Sequence, residues 1–235
     1  MSRSARPGTS ASSSTLRVVE VFTSIQGEGP LAGSYSLFVR LAGCNLRCPF
    51  CDTKYSWDPR AGRDVEVSGI LGLASRLEPA LVVATGGEPL LQRIPLERLA
   101  AGLEALGIPL QVETNGTLEA PGPGSPLWRA YHVVSPKDVP VRVPGARTHP
   151  SWIEAARRTG RVWFKFLAQT VEHVAEIAAY ARARGIPRRL VYVMPLTSDS
   201  MSTRDLLEVH KAIARAALEH GLNFSPRLHL LLGLR

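Results

Sequence analysis

The chain has 235 residues, 45% of them hydrophobic and 20% charged, with a formal net charge of +8. No run of about 18 apolar residues occurs, which excludes a transmembrane helix and leaves one globular domain with a sizeable core as the expectation. The charge comes almost wholly from Arg, since Lys stands only at 54, 137, 165 and 211, and no basic run is interleaved with aromatics; a nucleic-acid surface is therefore not expected.

Residues 1–15 are Ser-rich and lack the apolar stretch of a signal peptide. They read as a disordered lead-in to a domain over 16–235, with the cytoplasm as the expected location. Runs rich in β-formers predict strands over 18–22, 36–41, 81–85, 110–113, 132–135, 162–167 and 190–194. Helical spacing predicts helices over 67–77, 95–106, 152–158, 171–184 and 203–220. The helix from 171, for example, repeats apolar residues at Val171, Val174, Ile177, Ala178 and Ala181, and Gly185 follows as a stop. Strands alternating with helices imply an α/β fold with a parallel sheet and helical crossovers. Roughly six such units suit a partial (β/α)6-type barrel better than a closed eightfold one.

Parallel α/β folds gather their chemistry at the C-terminal ends of the strands. The unusual residues fall there: Cys44 to Cys51, Thr85 to Glu88, Glu113 to Thr117, Ser135 to Lys137, and Met194 to Thr197. The three cysteines are an odd count within eight residues, which argues for metal or redox chemistry and against disulfides. Thiolates in the spacing Cys44-x3-Cys48-x2-Cys51 suit one face of a [4Fe–4S] cluster, with one iron left open. A structural zinc would need a fourth ligand. No fourth Cys exists, and the nearest His in sequence is His132. A zinc-bound nucleic-acid-binding module is the rival reading from a different class.

At these residues the chain resembles the radical S-adenosylmethionine (SAM) superfamily. The cysteine motif follows a strand, and Thr85-Gly86-Gly87-Glu88-Pro89 on the next strand is similar to the motif that meets the amino group of SAM. Further stretches are Gln26-Gly27-Glu28-Gly29, Cys51-Asp52-Thr53-Lys54-Tyr55, Val112-Glu113-Thr114-Asn115-Gly116-Thr117, Phe164-Lys165-Phe166 and Arg227-x-His229. With these, the chain resembles the 7-carboxy-7-deazaguanine synthase family over nearly its whole length. A glycyl-radical activase, another radical SAM enzyme, would usually lack the Gln-Gly-Glu-Gly and Cys-Asp-Thr pair.

The resemblance implies conversion of 6-carboxy-5,6,7,8-tetrahydropterin to 7-carboxy-7-deazaguanine with loss of ammonia, on the way to queuosine and other 7-deazapurines. It implies a [4Fe–4S] cluster, SAM and Mg2+ as cofactors, a flavodoxin or ferredoxin as electron donor, and a homodimer. It places Ile25, Gln26, Gly27, Glu28, Arg40, Thr85, His229 and the terminal Arg235 on substrate, and Thr53 on Mg2+. It places Phe50, Cys51, Asp52, Gly87, Glu88, Ser135, Pro136, Lys137, Met194, Pro195, Leu196 and Thr197 on SAM. The last two of these depart from more polar versions in the family.

Several roles have plain alternatives. Gln26 offers donors and an acceptor to an amide-rich ring edge, yet its segment also reads as a Gly-rich turn. Arg40, on an apolar strand, needs an anionic partner; that is a substrate carboxylate or an ion pair with Glu20 or Glu28. Thr53 reads equally as a turn residue and Lys137 as a solvated lysine. The apolar tail after His229 reads equally as an edge strand.

Overall fold

The computed structural model describes residues 14–198 and 200–234. Most of the expected lead-in and all of Arg235 lie outside the described residues. Thr15, expected in the lead-in, already belongs to the first strand.

Among the described residues, nine strands form one open sheet. They are β1 (Thr15–Ile25), β2 (Tyr35–Leu41), β3 (Arg63–Glu66), β4 (Leu81–Gly86), β5 (Leu110–Thr114), β6 (Tyr131–Val134), β7 (Val162–Ala168), β8 (Val191–Pro195) and β9 (Asn223–Phe224). Their spatial order is β3-β1-β2-β4-β5-β6-β7-β8-β9. From β2 to β9 every pairing is parallel. The first strand departs from strand–helix alternation: β1 returns directly to β2 as an antiparallel hairpin and also pairs antiparallel with β3. β3 and β9 were not anticipated. They are edge strands that carry no run of β-formers: β3 is the charged stretch Arg63–Glu66 and β9 has two residues.

The helices are α1 (Val67–Leu77), α2 (Arg93–Ala105), α3 (Ser151–Thr159), α4 (Val171–Ala183), α5 (Thr203–Glu219) and α6 (Leu228–Leu231). The crossover from β5 to β6 carries only a 3-10 turn at Pro126–Arg129. α6 occupies the tail, where an edge strand was one expectation.

Strand alternation decides what faces the site. On β2, Leu37, Val39 and Leu41 are at most 1% exposed, in the core, while Phe38 and Arg40 point to the other face and line a cleft. On β7, Phe164 and Phe166 are fully buried in the core and Lys165 points to the cleft. Trp152 of α3 is fully buried, and its indole N–H donates to the Leu118 carbonyl at 2.9 Å. The parallel register brings the ends of β2, β4, β5, β6, β7 and β8 to one rim.

Candidate active site

The cysteine loop leaves β2 and is closed by its own backbone. Gly43 N–H donates to Ser56 O at 2.8 Å and Cys44 N–H to Trp57 O at 3.1 Å. The end of β4 rests on it: Gly87 N–H donates to Leu41 O and Glu88 N–H to Gly43 O. A Cβ on Gly87 would stand 1.9 Å from Gly43 O, so only glycine permits this contact. All three thiols are free and line the cleft. Cys48 is buried with Leu46 against Val143 and Ala146. This apolar backing pushes the Cys44 and Cys48 thiols up from their ordinary pKa. Such thiols need a bound cation to stay ionised. Leu46 N–H points to Cys44 Sγ at 3.5 Å, as N–H donors do at cluster sulfurs. Among the described residues no three His, Cys, Asp or Glu side chains are gathered for a single metal ion. Three thiols on one apolar-backed loop, without a fourth cysteine in the chain, fit a [4Fe–4S] cluster with an open iron.

The cleft holds about 1370 Å³, including its open mouth. It collects nearly every residue expected at the site. Ile25, Gln26, Gly27, Glu28, Arg40, Thr85 and His229 line it, as do Phe50, Asp52, Thr53, Gly87, Ser135, Lys137 and the four residues Met194, Pro195, Leu196 and Thr197. Glu88 and Pro136 do not. Glu88 is fully buried beneath the rim, and its carboxylate accepts from Leu90 N–H, Thr114 Oγ1 and Asn115 N–H. It ties the end of β4 to the end of β5. Burial raises its pKa against the pull of those bonds. The Lys137 ammonium donates to Ser135 O at 3.0 Å and to Ser135 Oγ, and burial lowers its pKa. Thr53 Oγ1 lies 3.6 Å from Cys51 Sγ.

Arg40 takes the ion-pair alternative through one nitrogen. Register places Glu20 directly across from it, and Arg40 Nε donates to Glu20 Oε1 at 2.6 Å. Tyr55 O–H donates to the same oxygen at 3.0 Å. The guanidinium carbon lies 5.6 Å from the Phe22 ring centroid, and Phe22 stacks on Phe38 at 5.0 Å.

The cleft also holds a chain of charges, in which Glu28, expected on substrate, is joined by Lys165, Glu113 and Arg227, to which no role was given. Lys165 Nζ donates to Glu28 Oε2 at 2.6 Å and to Glu113 Oε2 at 2.9 Å. Arg227 Nε donates to Glu28 Oε1 at 3.2 Å. Gln111 and Gln26 both donate to the other Glu113 oxygen, at 2.6 and 3.4 Å. Burial alone would push both carboxyls up. Lys165 and Arg227 outweigh it at Glu28 and hold that group at about 2. Glu113 has Lys165 alone, shared with Glu28, and its pKa stays raised. Lys165 is raised despite its burial, by the two carboxylates. The motifs Val-Glu-Thr-Asn and Phe-Lys-Phe marked Glu113 and Lys165, but only the fold shows them bonded.

A family model described as "Radical SAM superfamily" matches residues 39–123, which carry the cysteine loop and Gly87. A 7-carboxy-7-deazaguanine synthase of Hyperthermus butylicus is 62% identical over 234 residues, covering 100% of both chains. One of Pyrobaculum aerophilum is 40% identical, covering 92% of this chain and 94% of its own. The crystal structure of QueE from Escherichia coli shares the fold with a TM-score of 0.70 at 20% identity, over 92% of this chain and 95% of that one. The three thiols on their closed loop, and near-complete alignment at 62% identity, lead to one conclusion: the chain belongs to the 7-carboxy-7-deazaguanine synthase family of radical SAM enzymes.

Proposed function

We propose that this protein converts 6-carboxy-5,6,7,8-tetrahydropterin to 7-carboxy-7-deazaguanine with release of ammonia, using a [4Fe–4S] cluster and SAM. The observation that carries this reading is one cleft lined both by three free thiols and by a network of buried amides and charges. When bound, the cluster and SAM supply a hydrogen-abstracting 5′-deoxyadenosyl radical. Everything else falls to the residues of the chain.

Cys44, Cys48 and Cys51 hold the cluster. Phe50, Cys51, Asp52, Gly87, Ser135, Lys137 and the stretch from Met194 to Thr197 surround SAM, with Lys137 offering a cation to its carboxylate or ribose hydroxyls. Glu88 acts from below, by fixing Gly87 and Asn115. Ile25, Gln26, Gly27, Glu28, Thr85 and His229 bind the pterin. Glu28, held anionic, accepts N–H groups from the ring edge, and Gln26 both donates and accepts. Arg40, steadied at Nε by Glu20, turns its remaining N–H groups to the substrate carboxylate. Thr53 is the protein oxygen offered to Mg2+, an ion that takes few protein ligands. Arg235 would extend the substrate wall.

Anaerobic reconstitution tests the reading. Incubation with SAM, a low-potential reductant and the carboxy-tetrahydropterin should yield the deazapurine. 5′-Deoxyadenosine without deazapurine would leave a radical SAM enzyme of another specificity. Failure to take up four irons would sink the cluster as well.

A further inference from the structure

We infer that Arg227 is a positioning residue that couples the SAM side of the cleft to the pterin side, so that filling one strengthens binding at the other. The inference rests on the function proposed above. It starts from the number of separate segments that meet on one side chain. Arg227 is only 5% exposed. Its Nε donates to Glu28 on the pterin segment, at 3.2 Å. Its Nη1 donates to Thr197 at 2.9 Å, on the segment proposed to lie along SAM. Its Nη2 donates to Asp52, which directly follows the last cysteine.

The backbone on either side is tied as firmly. Arg227 N–H donates to His210 Nε2 on α5 at 3.1 Å, and Leu228 N–H donates to Gly27 O at 2.9 Å. His229 packs so closely on the pterin segment that a Cβ on Gly27 would meet its Nδ1 at 2.0 Å. One planar fork therefore touches three elements of the cleft, and its own chain holds a fourth. Glu28 continues the path through Lys165 to Glu113. A carboxylate drawn toward a bound ligand at either end changes what Arg227 holds at the other end. That gives the differential contact a coupling free energy requires. A lysine could serve one of the three acceptors well, but not all three in one plane.

Calorimetry on cluster-loaded, anaerobic protein without reductant reads the coupling, because no turnover occurs. For the wild type, saturating pterin should tighten SAM binding by about tenfold, with the reciprocal effect on pterin. Arg227→Gln should bring that ratio close to one, and Arg227→Lys should recover part of it. Asp52→Ala removes only the arm at a half-exposed carboxylate and should lower the ratio with the fold intact, so it decides the matter if Arg227→Gln does not fold. With reductant, these variants should release more 5′-deoxyadenosine per deazapurine formed. A ratio of one in the wild type, or a ratio unchanged in Asp52→Ala and in any folded Arg227→Gln, overturns the proposal. Wild-type protein that cleaves SAM but makes no deazapurine overturns the functional reading instead.

Discussion

A Cβ placed on Gly87 would collide with backbone on the cysteine loop, at Gly43 O and at Cys44 N 3.0 Å away, and neither can rotate aside. Gly87→Ala should therefore push the loop from its seat and lower iron uptake on reconstitution several-fold, while the far-ultraviolet spectrum of the folded chain changes little. Normal iron content would mean the loop accommodates the methyl group. Glu28 makes a separate prediction, about pH. Its pKa falls from the ordinary 4.5 to about 2 in the folded chain. The stabilisation is thus fully present above about pH 4.5 and is lost as pH falls toward 2. A shift of that size corresponds to about 3 kcal/mol. Glu113 opposes it, since a raised carboxyl favours the fold when protonated. Unfolding free energies of wild type and Glu28→Gln should differ most near neutral pH and converge near pH 2. Parallel curves would show that Glu28 is not held down by Lys165 and Arg227.

The elements differ in how far local sequence dictates them. α3 is short, but Trp152 anchors it by filling the core and donating to Leu118 O. Trp152→Ala should cost about 3–5 kcal/mol of stability by denaturant unfolding, and a loss under 1 would mean that the helix layer collapses into the gap. The six central parallel strands were legible as runs of β-forming residues, buried on both faces and so without alternation, and the five longer helices as apolar residues at helical spacing. The rim was legible because chemistry-bearing residues follow strand ends. β1 was read as a strand, but its reversal into β2 was not. Two-residue β9 and the four-residue α6 are too short to show a pattern, and edge strand β3 is the charged stretch Arg63–Glu66 with one β-former in it. α6 forms because Leu228 N–H and His229 dock on Gly27, a contact about 200 residues away in the chain. For the same reason Glu113, Lys165 and Arg227 were visible as motif letters and invisible as one network: their bonds span 52 to 199 positions.

At the scale of the whole molecule, the excess of 28 basic over 20 acidic residues has a consequence for electron delivery. Two of the carboxylates, Glu28 and Glu113, are turned inward and neutralised by Lys165 and Arg227. Beside the cysteine loop the carboxylates Asp52 and Asp58 are paired with Arg227 and Arg60, and three further basic side chains are exposed. Arg47, between two of the thiols, is exposed; its guanidinium lies over Trp57 and donates to Cys44 O and Leu46 O. Arg147 is exposed on the segment whose Val143 and Ala146 back Cys48, and Lys54 is exposed just beyond Cys51. An acidic one-electron carrier such as a flavodoxin should be steered to this edge by the field of the protein, and the steering is screened within about 10 Å at 0.1 M salt. Turnover supported by such a carrier should fall several-fold between about 50 and 300 mM salt. Arg147→Glu should weaken it further at low salt. Turnover driven by a cationic viologen radical should show neither effect, because attraction to a basic surface plays no part in its approach. Equal salt dependence for the two reductants would place the entry point for electrons elsewhere.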